Sequence, residues 1–213
     1  IFIGVGAMID FTPLFVNPSM IFFGAAAQFG IFATIILCVA LGIDDLKLAA
    51  SIGIIGAADG PTAIFVASKF AKEYLGPITV AAYSYMALVP MVQPPVIKAL
   101  TTKKERMIRM DYKDVKVSKT VRILFPIFIT IISGIMAPIS VPLVGLLMFG
   151  NLIRESGVLE RLSKAAQNEL SNIVTILLGV TIGATMTADA FLKTTTLLIL
   201  LAGLAAFIFD TAG

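Results

Sequence analysis

Asp59-Gly60-Pro61-Thr62 sits between two uncharged stretches, 48–58 and 60–68, with no Lys or Arg nearer in sequence than Lys47 and Lys69. An ionised carboxylate deep in a membrane costs at least about 2.5–3.5 kcal/mol on insertion scales, so it needs a partner. A cation from solution is the obvious one. Gly60 and Pro61 interrupt a helix, and unwound backbone at membrane depth is tolerated where it lines a cavity. A carboxylate, loosened carbonyls and the Thr62 hydroxyl then form an all-oxygen set suited to an alkali cation. The competing reading is a tight Asp-Gly-Pro turn at the interface between two short core helices.

Tyr83-Ser84-Tyr85 lies inside the uncharged run 74–97. A phenol within a span needs a hydrogen-bond partner, and it can ligate a cation or give up a proton. Two residues apart on a helix, Tyr83 and Tyr85 cannot face one point. A place in the aromatic belt is the alternative for either. Pro90 and Gln93-Pro94-Pro95 should distort the same helix. Gln28, between Gly24 and Gly30, suits an interhelical hydrogen bond as well as a site role, and Asn17-Pro18 reads as a helix entry. Asp10, Asp189 and Asp210 are the remaining acids in or near the membrane; Asp44 and Asp45 lie at a span end and read as solvated. With no His and one Cys, the chain has no His-based acid–base chemistry, no usual His- or Cys-cluster metal site and no intramolecular disulfide. Cys38, deep in an apolar run, reads as a small core residue. No P-loop, dinucleotide turn or nucleophile–base pair is visible.

The elements that must position these residues follow from composition. The 213 residues are 58% hydrophobic and only 14% charged, where a soluble domain carries about 25%. Four runs, 11–43, 74–97, 123–153 and 170–188, hold no Asp, Glu, Lys or Arg, and each is long enough to cross a hydrocarbon layer of about 30 Å as helix. The chain is expected to be an all-α polytopic membrane protein with segments near 1–9, 19–43, 46–58, 60–73, 77–100, 121–137, 140–153, 170–187 and 194–209. At roughly 1.5 Å per residue, the stretches on either side of Asp59 each cover about half the bilayer. They form one crossing broken in its middle or a pair of re-entrant half-helices. Ile1 begins inside an apolar segment and Gly213 follows one, so residues 1–213 read as a single membrane-domain fragment truncated at both ends.

Nine of the sixteen Lys and Arg lie between Lys98 and Arg122, against three acids, a net charge of +6. The loop 101–120 is therefore expected on the cytoplasmic side, where its charge would also steer an anionic substrate or acidic partner. The stretch 154–169 is charge-balanced and amphipathic, and reads as a second cytoplasmic loop with an interfacial helix. Nothing implies a nucleic-acid partner. Met8-Ile-Asp10-Phe-Thr-Pro13 and Phe209-Asp210-Thr-Ala-Gly213 share an acid beside Phe and Thr, a weak hint of the inverted repeats of transporters.

Gly56-Ala-Ala-Asp59-Gly-Pro-Thr62, Ala82-Tyr-Ser-Tyr-Met-Ala-Leu-Val-Pro90 and Gln93-Pro-Pro-Val-Ile-Lys-Ala-Leu100 together resemble the β subunit of the sodium-pumping biotin-dependent decarboxylases, which act on oxaloacetate, methylmalonyl-CoA or glutaconyl-CoA. Ile3-Gly-Val-Gly-Ala-Met-Ile-Asp-Phe11, Asn17-Pro18 and Gly150-Asn-Leu-Ile-Arg-Glu-Ser156 are similar to it too. The resemblance implies a subunit of the cytoplasmic membrane that decarboxylates carboxybiotin and exports Na⁺ while a proton is consumed. It also implies a biotin carrier/carboxyltransferase α subunit, a small membrane γ or δ subunit and an oligomeric assembly. Carried onto this sequence, the family's essential sodium-binding acid is Asp59 and its functional tyrosine matches Tyr85, with Tyr83 nearby. The candidate catalytic groups are thus Asp59 and Tyr85, and the candidate sodium ligands Asp59, Thr62 and Tyr83. A second polar helix break is implied beyond Gly213, so this stretch alone is expected to be inactive. The rival functions are an ion-coupled secondary transporter without covalent chemistry and a membrane scaffold indifferent to sodium.

Overall fold

The computed structural model describes residues 1–109, 117–184, 186–188 and 192–213. Among the described residues there are helices and turns and no strand. The α-helices are α1 (Phe2–Met8), α2 (Thr12–Val16), α3 (Ile21–Ala40), α4 (Leu46–Gly53), α5 (Gly60–Phe70), α6 (Leu75–Leu100), α7 (Lys119–Met136), α8 (Val141–Ser156), α9 (Glu160–Ala165), α10 (Ser171–Gly183) and α11 (Thr194–Ala212). Among the described residues, counted with their leading turns, five helical segments are long and apolar enough to cross a membrane: Pro18–Ala40, Lys72–Leu100, Lys119–Met136, Pro138–Ser156 and Thr194–Ala212.

The described residues gather into two compact units, one within 1–20 and 112–180, the other within 21–111 and 181–213. In the first, α8 packs along α1 and α7. Its close crossing depends on glycine: a Cβ on Gly6 would lie 1.7 Å from the Leu147 carbonyl oxygen, and one on Gly150 2.0 Å from that of Ile3. The sequence separates an amphipathic loop helix from a crossing near 170. In the structure α9 instead runs through a π-helical turn, Ala166–Leu170, directly into α10. Ser171 donates its hydroxyl to the Ala166 carbonyl there (2.8 Å), a polar bond that stabilises the widened turn.

The second unit is built around small residues. Ala49, Ala63, Ala67, Ala81 and Ala202 are wholly or almost wholly buried, with Ile52, Ile78 and Ile199 between them. Cys38 is buried in the same core, as its apolar setting predicts. On α3 the small and polar residues Gly30, Thr34 and Cys38 point inward. Phe22, Phe23, Phe29, Phe32 and Ile36 point outward at 60–72% exposure. Large apolar groups outside and small ones between helices is the pattern of chains solvated by lipid. Buried hydroxyls are satisfied within their own helices: Thr34 donates to Gly30 O (2.8 Å), Ser51 to Lys47 O (2.8 Å) and Thr79 to Leu75 O (2.6 Å). α6 keeps its helical run through Pro90, Pro94 and Pro95.

Candidate functional site

α4 starts with a cap, the Asp45 side chain accepting the Lys47 N–H (2.9 Å), so Asp45 is a helix-capping group beyond being solvated. The helix lies along α3, with Gly53 close enough that a Cβ would sit 2.8 Å from the Ile31 carbonyl oxygen. It tightens into a 3-10 turn at Ile54–Ala57 and ends at Ala58, whose φ of 53° and ψ of 32° are left-handed. Among the described residues Ala58 is the one non-glycine at positive φ. An alanine there stores about 1 kcal/mol or more of strain, which persists only where the surroundings enforce it. Asp59 is extended (φ −120°, ψ 98°) and precedes α5, which has Pro61 in its first turn, where proline's missing N–H is no loss. α4 and α5 also pack against each other. Asp59 thus sits at the tip of the expected helix break, in the non-helical link between α4 and α5.

At the tip, Thr62 donates its hydroxyl to Asp59 Oδ2 in a short hydrogen bond. Asp59 is half-buried, and among the described residues no Lys or Arg forms an ion pair with it. Tyr83 reaches the same place from α6: a Cβ on Gly60 would lie 2.7 Å from Tyr83 Cζ. The Gly60 N–H points at Met86 Sδ (3.2 Å), a weak acceptor for a helix-terminal amide. Tyr85 faces elsewhere, as its spacing from Tyr83 requires. Its hydroxyl donates to the Leu200 carbonyl on α11 (2.5 Å), and its ring packs over Gly203, which also meets Ile55. Gly56, just before the tip, abuts the Ala206 backbone of α11. The break is thus seated on α11 and faced by α6. Tyr85→Phe removes the bond from the phenol to Leu200 O on α11, and a loss of about 1 kcal/mol of stability, read as a lower denaturation midpoint of the purified protein, is expected. No change would mean that the contact is not made in the folded protein.

The other polar residues singled out in the sequence lie apart from this tip or serve local structure. The Gln28 amide donates to Gly24 O on its own helix (3.4 Å) and is exposed. Asn17 accepts the Ser19 hydroxyl (2.6 Å) in the turn that opens α3, as a helix entry should. Asp210 on α11 lies against Gly30 of α3. Asp189 falls outside the described residues. Sequence reasoning missed Ala58 and Met86; the residue type of neither signals its role. It also missed Asn151 and Arg154, which reach back to α1 across more than 140 residues.

Several crossing-length helices and an apolar helix break that holds an acid define a polytopic α-helical membrane protein. All of the chain, residues 1–213, matches the family described as the Na⁺-transporting oxaloacetate decarboxylase β subunit, and the chain belongs to that family. It is 58% identical over 207 residues to the methylmalonyl-CoA decarboxylase subunit β of Propionigenium modestum, covering 97% of this chain and 52% of that protein. The oxaloacetate decarboxylase β chain of Haemophilus ducreyi is 56% identical over 217 residues, covering all of this chain and 50% of that protein. The corresponding methylmalonyl-CoA decarboxylase subunit of Veillonella parvula is 53% identical over 213 residues, or 57% of its length. The chain thus spans about half the length of these relatives.

Proposed function

We propose that this chain is part of the membrane subunit of a Na⁺-translocating decarboxylase of the cytoplasmic membrane, and that Asp59 is its sodium-binding acid. One observation carries the reading: Asp59, in the break between α4 and α5, has a hydroxyl donor and, among the described residues, no Lys or Arg paired with it. The sodium ion is cargo, held by the Asp59 carboxylate with the Thr62 hydroxyl and the Tyr83 phenol beside it. Carboxybiotin arrives on a biotin carrier/carboxyltransferase α subunit; a small γ or δ subunit and further copies of the chain complete the complex. Carboxybiotin takes up one proton and yields biotin and carbon dioxide, the proton adding to the ureido nitrogen as the N–C bond breaks. That proton passes by way of Asp59 or Tyr85, and its arrival at Asp59 displaces sodium outward. Moving one charge against 100 mV requires about 2.3 kcal/mol.

Support comes from the family and from the oxygen set at the tip. The loop 101–120, with its excess of Lys and Arg, is the cytoplasmic face to which the anionic cofactor is drawn, and 154–169 lies on the same side. The test is turnover by the full-length subunit in its complex, reconstituted in vesicles, with sodium replaced by choline at constant ionic strength. Decarboxylation should require sodium, and the membrane subunit should be retained on avidin with its biotinylated partner. Transport with no biotinylated partner would favour a plain secondary transporter, and sodium-independent turnover a membrane scaffold that does not couple to the ion. Thr62→Val removes the hydroxyl beside Asp59 and is expected to weaken sodium half-saturation by about tenfold, the equivalent of roughly 1.4 kcal/mol.

A further inference from the structure

The first unit contains a second acid-centred helix break. α1 stops at Met8, Ile9 is extended (φ −70°, ψ 132°), and α2 starts at Thr12 with Pro13 in its first turn. Asp10 lies between them, its Oδ1 accepting the Thr12 N–H (2.9 Å). Acid, hydroxyl and proline recur here as they do around Asp59. Asn151 and Arg154 of α8 make the difference. Asn151, 2% exposed, donates Nδ2 to Ile9 O (2.9 Å) and Gly6 O (3.3 Å). Arg154 donates one terminal nitrogen to Ile9 O (2.6 Å) and Met8 O (3.1 Å), and its other terminal nitrogen lies 3.9 Å from Asp10 Oδ2. Glu155, 9% exposed, holds the guanidinium from behind (3.8 Å to Nε) and is itself paired to Arg122 of α7 (3.2 Å).

We infer that Arg154 is a tethered cation that fills the Asp10 break and closes it to mobile ions. The carbonyls of Met8 and Ile9 and the Asp10 carboxylate form an oxygen set of the kind that attracts alkali cations, and a guanidinium already occupies it. A charge fixed to α8 acts at a high effective concentration that a dilute ion does not match, and its planar fork serves two carbonyls and a carboxylate together. Arg154 is a positioning residue: it holds the end of α1 on α8. The inference concerns this unit alone and stands or falls separately from the sodium reading of Asp59.

Its test uses the full-length protein in its native complex, carrying Asp59→Asn so that any cation response arises elsewhere. In that background Arg154→Ala should melt roughly 5–10 °C lower, chiefly through loss of the charge-assisted bonds to Ile9 O and Met8 O. Methylguanidinium at low concentration should recover most of the loss, sodium part of it, and choline at equal ionic strength none. Arg154→Lys, which keeps the charge, should fall less than Arg154→Ala. A loss that neither methylguanidinium nor sodium restores would overturn the inference, as would equal losses for Lys and Ala or an Arg154→Ala protein as stable as its parent. If Arg154→Ala does not accumulate, Arg154→Gln is measured in the same way, and absence of a cation response there overturns it equally.

Discussion

Asp59→Asn should abolish the stabilisation that sodium gives the assembled complex and, with it, sodium-dependent decarboxylation. The substitution keeps the shape of the side chain and an oxygen for the Thr62 hydroxyl, so the break between α4 and α5 should still form. What disappears is the charge. A carboxylate and a monovalent cation about 4 Å apart attract by about 4 kcal/mol at an effective dielectric constant near 20, so sodium affinity should drop on the order of 1,000-fold. In the parent, sodium at about 100 times its dissociation constant adds roughly 2.7 kcal/mol of stability. The measurement is the melting midpoint against sodium concentration, with choline holding ionic strength constant, followed by turnover of the reconstituted complex. The variant's curve should be flat. An undiminished sodium shift would place the ion elsewhere and remove Asp59 from the mechanism.

Gly150→Ala is expected to be among the most destabilising single substitutions. The new Cβ would stand 2.0 Å from the Ile3 carbonyl oxygen and within 3.0 Å of the Ala7 nitrogen. Both are backbone atoms of α1, so no side chain can swing aside and the helices must part. Overpacking of this kind costs about 3 kcal/mol. It should also draw Asn151 and Arg154 away from the carbonyls they serve. Gly145→Ala is the control within α8: its Cβ would meet nothing nearer than Thr130 Cγ2 at 3.7 Å. A helical Gly→Ala change without a clash gains up to about 1 kcal/mol. The two denaturation midpoints should therefore move in opposite directions, and equal shifts would contradict the close α1–α8 crossing.

The helical membrane class and the position of the main break were legible in the amino-acid order. Asp59-Gly60-Pro61 combines an unpaired acid, a flexible residue and a helix breaker within three positions, and the structure interrupts its helix there. Uncharged runs work as signals because transfer into hydrocarbon is close to a sum over residues, each contributing wherever its neighbours lie. The same local logic separated Tyr83 from Tyr85, since a helix turns them to different faces. Local logic did not say which of the two meets the tip.

Tertiary structure decided the partnerships. It set Tyr83 against Gly60 and gave the Tyr85 hydroxyl to Leu200, 115 residues away. It turned Ala58 left-handed, and it placed an arginine in the Asp10 break, whereas among the described residues no Lys or Arg pairs with Asp59. It also drew the described residues into two compact units. These outcomes depend on which small residues let two backbones approach, and so on contacts between segments far apart in the chain. Hydrophobicity marks every crossing helix in nearly the same way and carries little information about its neighbour; close packing at glycine and alanine supplies that information only once the helices have met.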